Sequence, residues 1–460
     1  MHDPFLQAVD LAEAIRRRRV SPLEVIDATL ERITRLNPEL NAYLAVFDES
    51  ARAAAARLMR RRGGAGALSG VPVSVKDLIC TVDGLTTGGS RIFGDGVAAR
   101  HDAPVIRRLR RAGAIVIGKT NLHEVALGVT TVNEHFGASR NPWNRATMAG
   151  GSSGGSAVAV AAGLGPLSVG TDTRGSIRIP AACCGITGLK PTYGLVPVDG
   201  VLPLSPTLDH VGPMARSAAD CALMLGVMAS GRDPLRYLRT ARRPWAKPRV
   251  GVSEFLLRDL DGEVQPVVDQ ALKQLQRLGA QLRDVSHPAI EEAEQASVCI
   301  TGPEAFAYHE RALRETPEGF GPLVRSRLAA GGERRAVEYL RALEARQRVI
   351  AALAEVFGEV DVLVGATLPV TAPPIETLTL RLGGREATVV EAFTRFNSPF
   401  NMAGVPALSV PCGLTSRGMP VGLQIVAPRG ADASALRLGM VWQRATDWHR
   451  VHPTDLDPGA

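Results

Sequence analysis

Aromatic residues and lysine are both scarce in this sequence, and each shortage excludes something. Phe, Trp and Tyr make up 4% of the 460 residues, and no basic cluster is interleaved with stacking side chains, so nucleic-acid binding is not expected. The formal net charge of +7 comes from 53 basic and 46 acidic residues spread along the whole length, without a charged tail. No stretch reaches the ~18 consecutive apolar residues of a membrane span. The N-terminus, MHDPFLQAVDLAEAIRRRR, sets acidic residues before its arginines and lacks the apolar run of a signal peptide. We therefore expect a soluble, cytoplasmic chain with no membrane partner. Six cysteines (Cys80, Cys183, Cys184, Cys221, Cys299 and Cys412) form no C-x-x-C pair and no metal-like spacing with histidine. Reduced core thiols, and no metal or cofactor, are the expectation.

Five of the 53 basic residues are lysines: Lys76, Lys119, Lys190, Lys247 and Lys273. Arginine keeps its charge in a protein, whereas a buried lysine can lose its proton. Lys76 then has two readings, an amine needed at that place or a leftover of a compositional bias.

What is present is the material of a large α/β core. The hydrophobic fraction is 45%, and helical and strand-like runs alternate without internal repeats or low-complexity segments. Residues 1–62 read as a helical layer, with Ser21-Pro22 opening one helix and Gly63-Gly64 ending another. In LSGVPVSVKDLI, Val71, Val73 and Val75 alternate with Pro72, Ser74 and Lys76, as in a strand that ends near Lys76. VIRRLRRAGAIVIGKTN reads as helix, glycine stop and a buried strand from Ile115 to Ile117. Residues 63–230 form the core of the pattern, 231–400 a more variable region, and 401–430 return to buried strands, all within one domain over 1–460.

The stretch from Gly150 to Gly194 organises the rest. It holds two glycine-rich loops bearing serine, separated by a small-residue helix (Gly154 to Gly163) and a short strand (Pro166 to Thr171). A ten-residue helix travels ~15 Å and five strand steps return ~17 Å, which brings Ser152 and Ser176 together at one end of a sheet. GGSSGGS lacks the G-x-x-x-x-G-K-[ST] pattern of a nucleotide loop. Two turns that merely permit close backbone approach are one reading. The other is chemical: Ser176 as nucleophile, Ser152 as a relay that accepts its proton and donates to Lys76, and a neutral, buried Lys76 as base. The turn Thr173-Arg174-Gly175-Ser176 would aim backbone N–H groups at one point as an oxyanion hole. Among nine histidines, His101, His123, His135 and His210 invite a Ser-His-Asp triad, but no G-x-S-x-G elbow accompanies them.

GGSSGGSA, GTDTRGSIRIPA and CGITGLKPTYG, with GVPVSVKD, GKTNLHE, FGASRNPWN and FNMAGVPALSVPCG, resemble the amidase signature family over nearly the whole chain. The resemblance implies a single α/β/α sandwich around a large mixed sheet, commonly dimeric. It also implies an acylated Ser176, a cis peptide bond before Ser152, Lys76 as base, and Ser153 as a supporting hydroxyl. Substrates would be small amides, with esters and carbamates served by the same oxyanion hole. The alternative within the family is the glutaminase component of a tRNA-dependent amidotransferase complex, against which Arg174 and Ile179 argue. A third class is a ligand-binding protein without catalysis. By the resemblance Ala126-Leu127-Gly128-Val129 line the substrate channel, and their apolar character favours an uncharged substrate portion; core packing is the competing reading. Arg174 stands where members usually carry glycine, either paired with an acid such as Asp172 or reaching into the pocket. Residues 300 to 400 are expected to set the choice of substrate.

Overall fold

Alternation along the central strands sorts their side chains into two cores. Ile115 and Ile117 join one apolar cluster and Val116 the other, as period-two side-chain placement requires of a sheet covered on both faces. In the computed structural model, which describes residues 3–60, 66–94, 96–229 and 233–456, this sheet has eleven strands among the described residues. They are β1 (Tyr43–Val46), β2 (Pro72–Lys76), β3 (Ile115–Thr120), β4 (Leu167–Asp172), β5 (Thr187–Lys190), β6 (His210–Ala215), β7 (Arg249–Ser253), β8 (Gln281–Val285), β9 (Val362–Ala366), β10 (Ala407–Leu414) and β11 (Pro420–Val426). Their order across the sheet is β1-β3-β2-β4-β6-β5-β10-β11-β9-β7-β8. The pairs β3/β2, β2/β4, β9/β7 and β7/β8 are parallel and the rest antiparallel. Strands from both halves of the chain thus share one mixed sheet. Helices Pro22–Leu40 and Gly154–Ala161 contribute to the core on one face, and Pro104–Arg111 and Ala218–Ala229 to that on the other.

The amino-terminal layer departs from the all-helical expectation. Its helices are Ala8–Arg16, Pro22–Leu40 and Asp48–Arg60, but β1 lies between the last two and adds an edge strand beside β3. Buried Tyr43 fixes it, its hydroxyl donating to the Leu164 carbonyl at 2.8 Å. Four residues are too few for periodicity to reveal. Ser21 does open its helix: its hydroxyl accepts from Glu24 N–H, and the Glu24 carboxylate accepts from Ser21 N–H. Gly63 and Gly64 lie outside the described residues.

Two parallel neighbours, β2 and β4, end side by side at Lys76 and Asp172. Ligands in open α/β sheets gather beyond such carboxyl ends. No helix among the described residues is long and apolar enough to cross a membrane.

Close backbone approach holds the middle of the sheet together. A Cβ at Gly212 on β6 would lie 2.1 Å from the Leu189 carbonyl oxygen of β5 and 2.9 Å from Ile177. Gly212→Ala is therefore expected to cost about 1–3 kcal/mol of stability, read from the urea midpoint. Gly262→Ala, at an exposed position with open space around it, should shift stability by less than about 0.5 kcal/mol.

Candidate active site

Lys76, Ser152 and Ser176 come together where β2 and β4 end. Lys76 is fully buried, in contrast to the usual solvated lysine at a strand end. Its Nζ donates to Ser152 Oγ and to Thr171 Oγ1, both at 2.7 Å. Burial lowers its pKa to about 7, opposed by the charges of Asp172 and Asp209. An amine that exchanges its proton near neutrality can act as a base.

The loop carrying Ser152 is fixed from three sides. The Gly151–Ser152 peptide is cis, and the Ser152 carbonyl accepts from His123 N–H (3.1 Å) and Thr131 Oγ1 (3.3 Å). Ser153 N–H donates to the Ser176 carbonyl at 3.2 Å, and Ser153 Oγ donates to the Thr171 carbonyl at 3.1 Å. The two serine loops are thereby joined through Ser153. Gly155 is needed for close approach, since a Cβ there would meet Ala42 O and the Asn121 backbone at 2.5 Å.

The second loop is organised by Asp172. Its carboxylate accepts from Gly175 N–H (2.8 Å), Ile177 N–H (3.2 Å), Asn401 Nδ2 (2.8 Å) and Arg178 (Nε and Nη2, both 3.0 Å). Both partners of the Arg178–Asp172 pair are fully buried. Burial alone would raise the Asp172 pKa; the Arg178 guanidinium, Lys190 and the Asn401 amide reverse this and hold it well below the carboxylate range. Gly175 has φ +117°, and a side chain there would strike Asn397 and Ile179 at 2.7 Å. Its N–H is committed to Asp172, which corrects the expected four-donor oxyanion hole. The N–H groups of Thr173, Arg174 and Ser176 remain, and Thr173 is anchored by its hydroxyl to Asp209 Oδ1 at 2.6 Å.

Comparison with known proteins identifies the family. The Amidase family profile matches residues 24–436. The chain belongs to the amidase signature family. It is 38% identical over 496 aligned positions to a glutamyl-tRNA(Gln) amidotransferase subunit from Thiobacillus denitrificans, covering 99% of this chain and all of that one. Among solved structures it resembles an amidase at a TM-score of 0.89 and 37% identity, covering 96% of this chain and 99% of the other. It also resembles, at a TM-score of 0.91 and 34% identity over 95% and 98% of the two chains, a protein from a vestigial complex tied to the origins of an s-triazine catabolic enzyme.

In this amidase-family chain a cavity of about 80 Å³ lies against Ser176. Ala126, Leu127, Gly128 and Val129 line it, together with Thr301, Val390 and Thr394 from the variable region. Val125 and Ala126 hold φ of +41° and +61°, a strained turn of a kind that collects beside functional sites. Two further features of the lining are not visible in the sequence. Arg327 faces the cavity, so its wall is not uniformly apolar. Arg174 pairs with Glu294 at 2.5 Å instead of Asp172, whose carboxylate is filled by Arg178. Glu294 also accepts from Thr394 Oγ1 and Ser398 Oγ, both at 2.7 Å. These partners sit 100 or more residues away in the chain, and no local pattern announces them. The histidines have other work. His123 is buried beside Thr130, with burial lowering its pKa to about 3. His210 meets the Leu208 carbonyl and Lys190, His135 pairs with Glu124, and His101 is exposed. No group of three or more metal-ligating side chains occurs among the described residues.

Burying Lys76 is unfavourable for folding while the unfolded lysine carries a proton. Its folded pKa of about 7 lies below the ordinary lysine value of 10.5, so stability rises with pH between these limits. Lys76→Met is expected to raise unfolding free energy by about 1–4 kcal/mol at pH 6, and the gain should shrink steadily as pH approaches 10. Denaturant titrations of both proteins from pH 6 to 10 measure it.

Proposed function

We propose that this chain hydrolyses carboxylic amides through an acyl-enzyme on Ser176, and that esters and carbamates are accepted by the same route. The observation that carries the reading is the buried Lys76 amine, bonded to Ser152 Oγ in a loop that Ser153 ties to Ser176.

In the forward step Ser176 Oγ attacks the amide carbonyl carbon while its proton passes through Ser152 Oγ to neutral Lys76. Negative charge gathers on the carbonyl oxygen, where the N–H groups of Thr173, Arg174 and Ser176 receive it. One such donor is worth about 3 kcal/mol of barrier. The C–N bond then breaks as Lys76 returns the proton through Ser152 to the leaving nitrogen. Water repeats the sequence against the Ser176 ester: its proton goes to Lys76, the carboxylic acid departs, and Ser176 recovers its hydrogen.

A second reading keeps the site and changes its setting. Sequence relatives named as a component of glutamyl-tRNA(Gln) amidotransferase match over the full length, which favours a glutaminase that works within a complex. Arg174 beside the nucleophile, and Ile179 where the resemblance has glutamine before Pro180, favour the free-standing amidase. Glutamine hydrolysis that appears only when the other components of a tRNA-dependent amidotransferase are added would decide for the second reading.

Ser176→Ala is expected to lower kcat/KM about 10⁴-fold or more and to abolish the single adduct that a fluorophosphonate leaves on the intact protein by mass spectrometry. Full activity in that variant would overturn the mechanism. The pH profile has a fixed sign: below about 7 Lys76 is protonated and cannot accept. Log kcat/KM should fall by about one for each pH unit beneath that value, and a profile flat to pH 5 would exclude Lys76 as base.

A further inference from the structure

The cavity against Ser176 is lined by two guanidinium groups and no carboxylate. Arg174 and Arg327 both line it. Arg174 gives Nη2 to Glu294 and Thr394, while its Nε–H is buried without a partner. Arg327 donates to the Leu127 carbonyl at 2.9 Å, and no carboxylate among the described residues forms an ion pair with it. Burial lowers its pKa, and the nearby Arg174 charge lowers it further against the attraction of Glu134. Glu294 accepts three hydrogen bonds, at Oε1 from Arg174 and Thr394 and at Oε2 from Ser398. Two guanidinium groups and no carboxylate line the cavity; Glu294 pairs with Arg174 from outside the lining and Glu134 attracts Arg327 without forming an ion pair, which leaves the wall beside the nucleophile positive. An unpaired charge and an unmade hydrogen bond in a partly closed cavity both cost free energy that a matching ligand recovers. The planar anion matched to guanidinium is a carboxylate.

The same lining says what the ligand lacks. No acidic side chain lines the cavity. Asp209, behind Thr173, is filled by the Thr173 hydroxyl and the N–H groups of Leu204 and Ser205. An ammonium group would therefore enter a positive site with no carboxylate to receive it.

We propose that the substrate is an amide bearing a carboxylate and no ammonium group, and that Arg174 and Arg327 bind that carboxylate. This rests on the hydrolase reading of Ser176 and narrows its substrate class. The residue that departs from the family pattern, Arg174, becomes a specificity determinant.

Three amides of one chain length test it on the full-length protein: glutaramate, uncharged pentanamide and zwitterionic glutamine. A second arm compares N-pentanoylglycine with N-propylpentanamide and places the carboxylate on the leaving group. Compounds that are not turned over are ranked by how strongly they protect Ser176 from the fluorophosphonate. In one arm the carboxylate is expected to raise kcat/KM, or protection, at least tenfold over the uncharged partner, with glutamine below glutaramate. Arg174→Gly and Arg327→Gln should each reduce that ratio at least tenfold, mainly through KM, and Arg327→Lys should restore part of it. If Arg327→Gln no longer takes the label, Arg174→Gly carries the comparison. A labelled Ser176 with ratios near one in both arms, or ratios untouched by the variants, or a preference for glutamine, overturns the proposal and leaves the hydrolase reading standing. A wild-type protein that takes no label overturns both.

Discussion

The withdrawal of one amine from water is the constraint on which the site depends. Lys76 has to be buried for its proton to be labile near neutrality, and a buried ammonium is costly, so the surroundings must favour the neutral form. Two hydroxyls, Ser152 and Thr171, face it instead of carboxylates. The negative charges nearby are muted: Asp172 is paired with Arg178, and burial raises the Asp209 pKa to about 6. Had either carboxylate been free beside Lys76, its attraction would have held the proton on the amine.

The same requirement explains why Asp172 has so many partners. It orders the nucleophile turn by taking the N–H groups of Gly175 and Ile177, and Arg178 extends that order across the sheet to Asn397, Asn401 and Gln424. A buried network of this kind rigidifies a site in proportion to how fully its members are bonded, and here Asn397 Oδ1 is the one side-chain atom of the network left without a partner among the described residues. The network draws on β4, the helix after Ser176, the Asn397 to Asn401 segment and β11. The turn is thus held by the whole middle of the sheet, and its position relative to Lys76 follows from the parallel pairing of β2 with β4.

Much of this was legible in the sequence, for physical reasons. Glycines and small residues are required wherever backbones approach closely, so the two loops and the helix between them stand out. Helix and strand displacements then bring Ser152 near Ser176, and alternation places Lys76 at a strand end. The resemblance to the amidase signature family gathered the same residues. Burial of Lys76 was not legible, because exposure depends on what covers a strand end from elsewhere. The partners of Arg174 and Arg178 were hidden for a related reason, since Glu294 lies 120 residues beyond Arg174 and Gln424 lies 246 beyond Arg178. Strand β1 escaped because a four-residue edge strand offers two alternations at most.

Arg174 is the point at which the sequence departs from its resemblance to the family pattern. With glycine there, the turn would supply backbone donors alone. An arginine keeps the N–H and adds a cation at the cavity wall, which must be compensated. Glu294, Thr394 and Ser398 provide that compensation and do so from segments outside the two glycine-rich loops. Glu294 pairs with Arg174, while Arg327 is held by the Leu127 carbonyl and is attracted by Glu134 without an ion pair. With both guanidinium groups in its wall, the cavity has a polarity that its apolar Ala126–Val129 lining does not disclose.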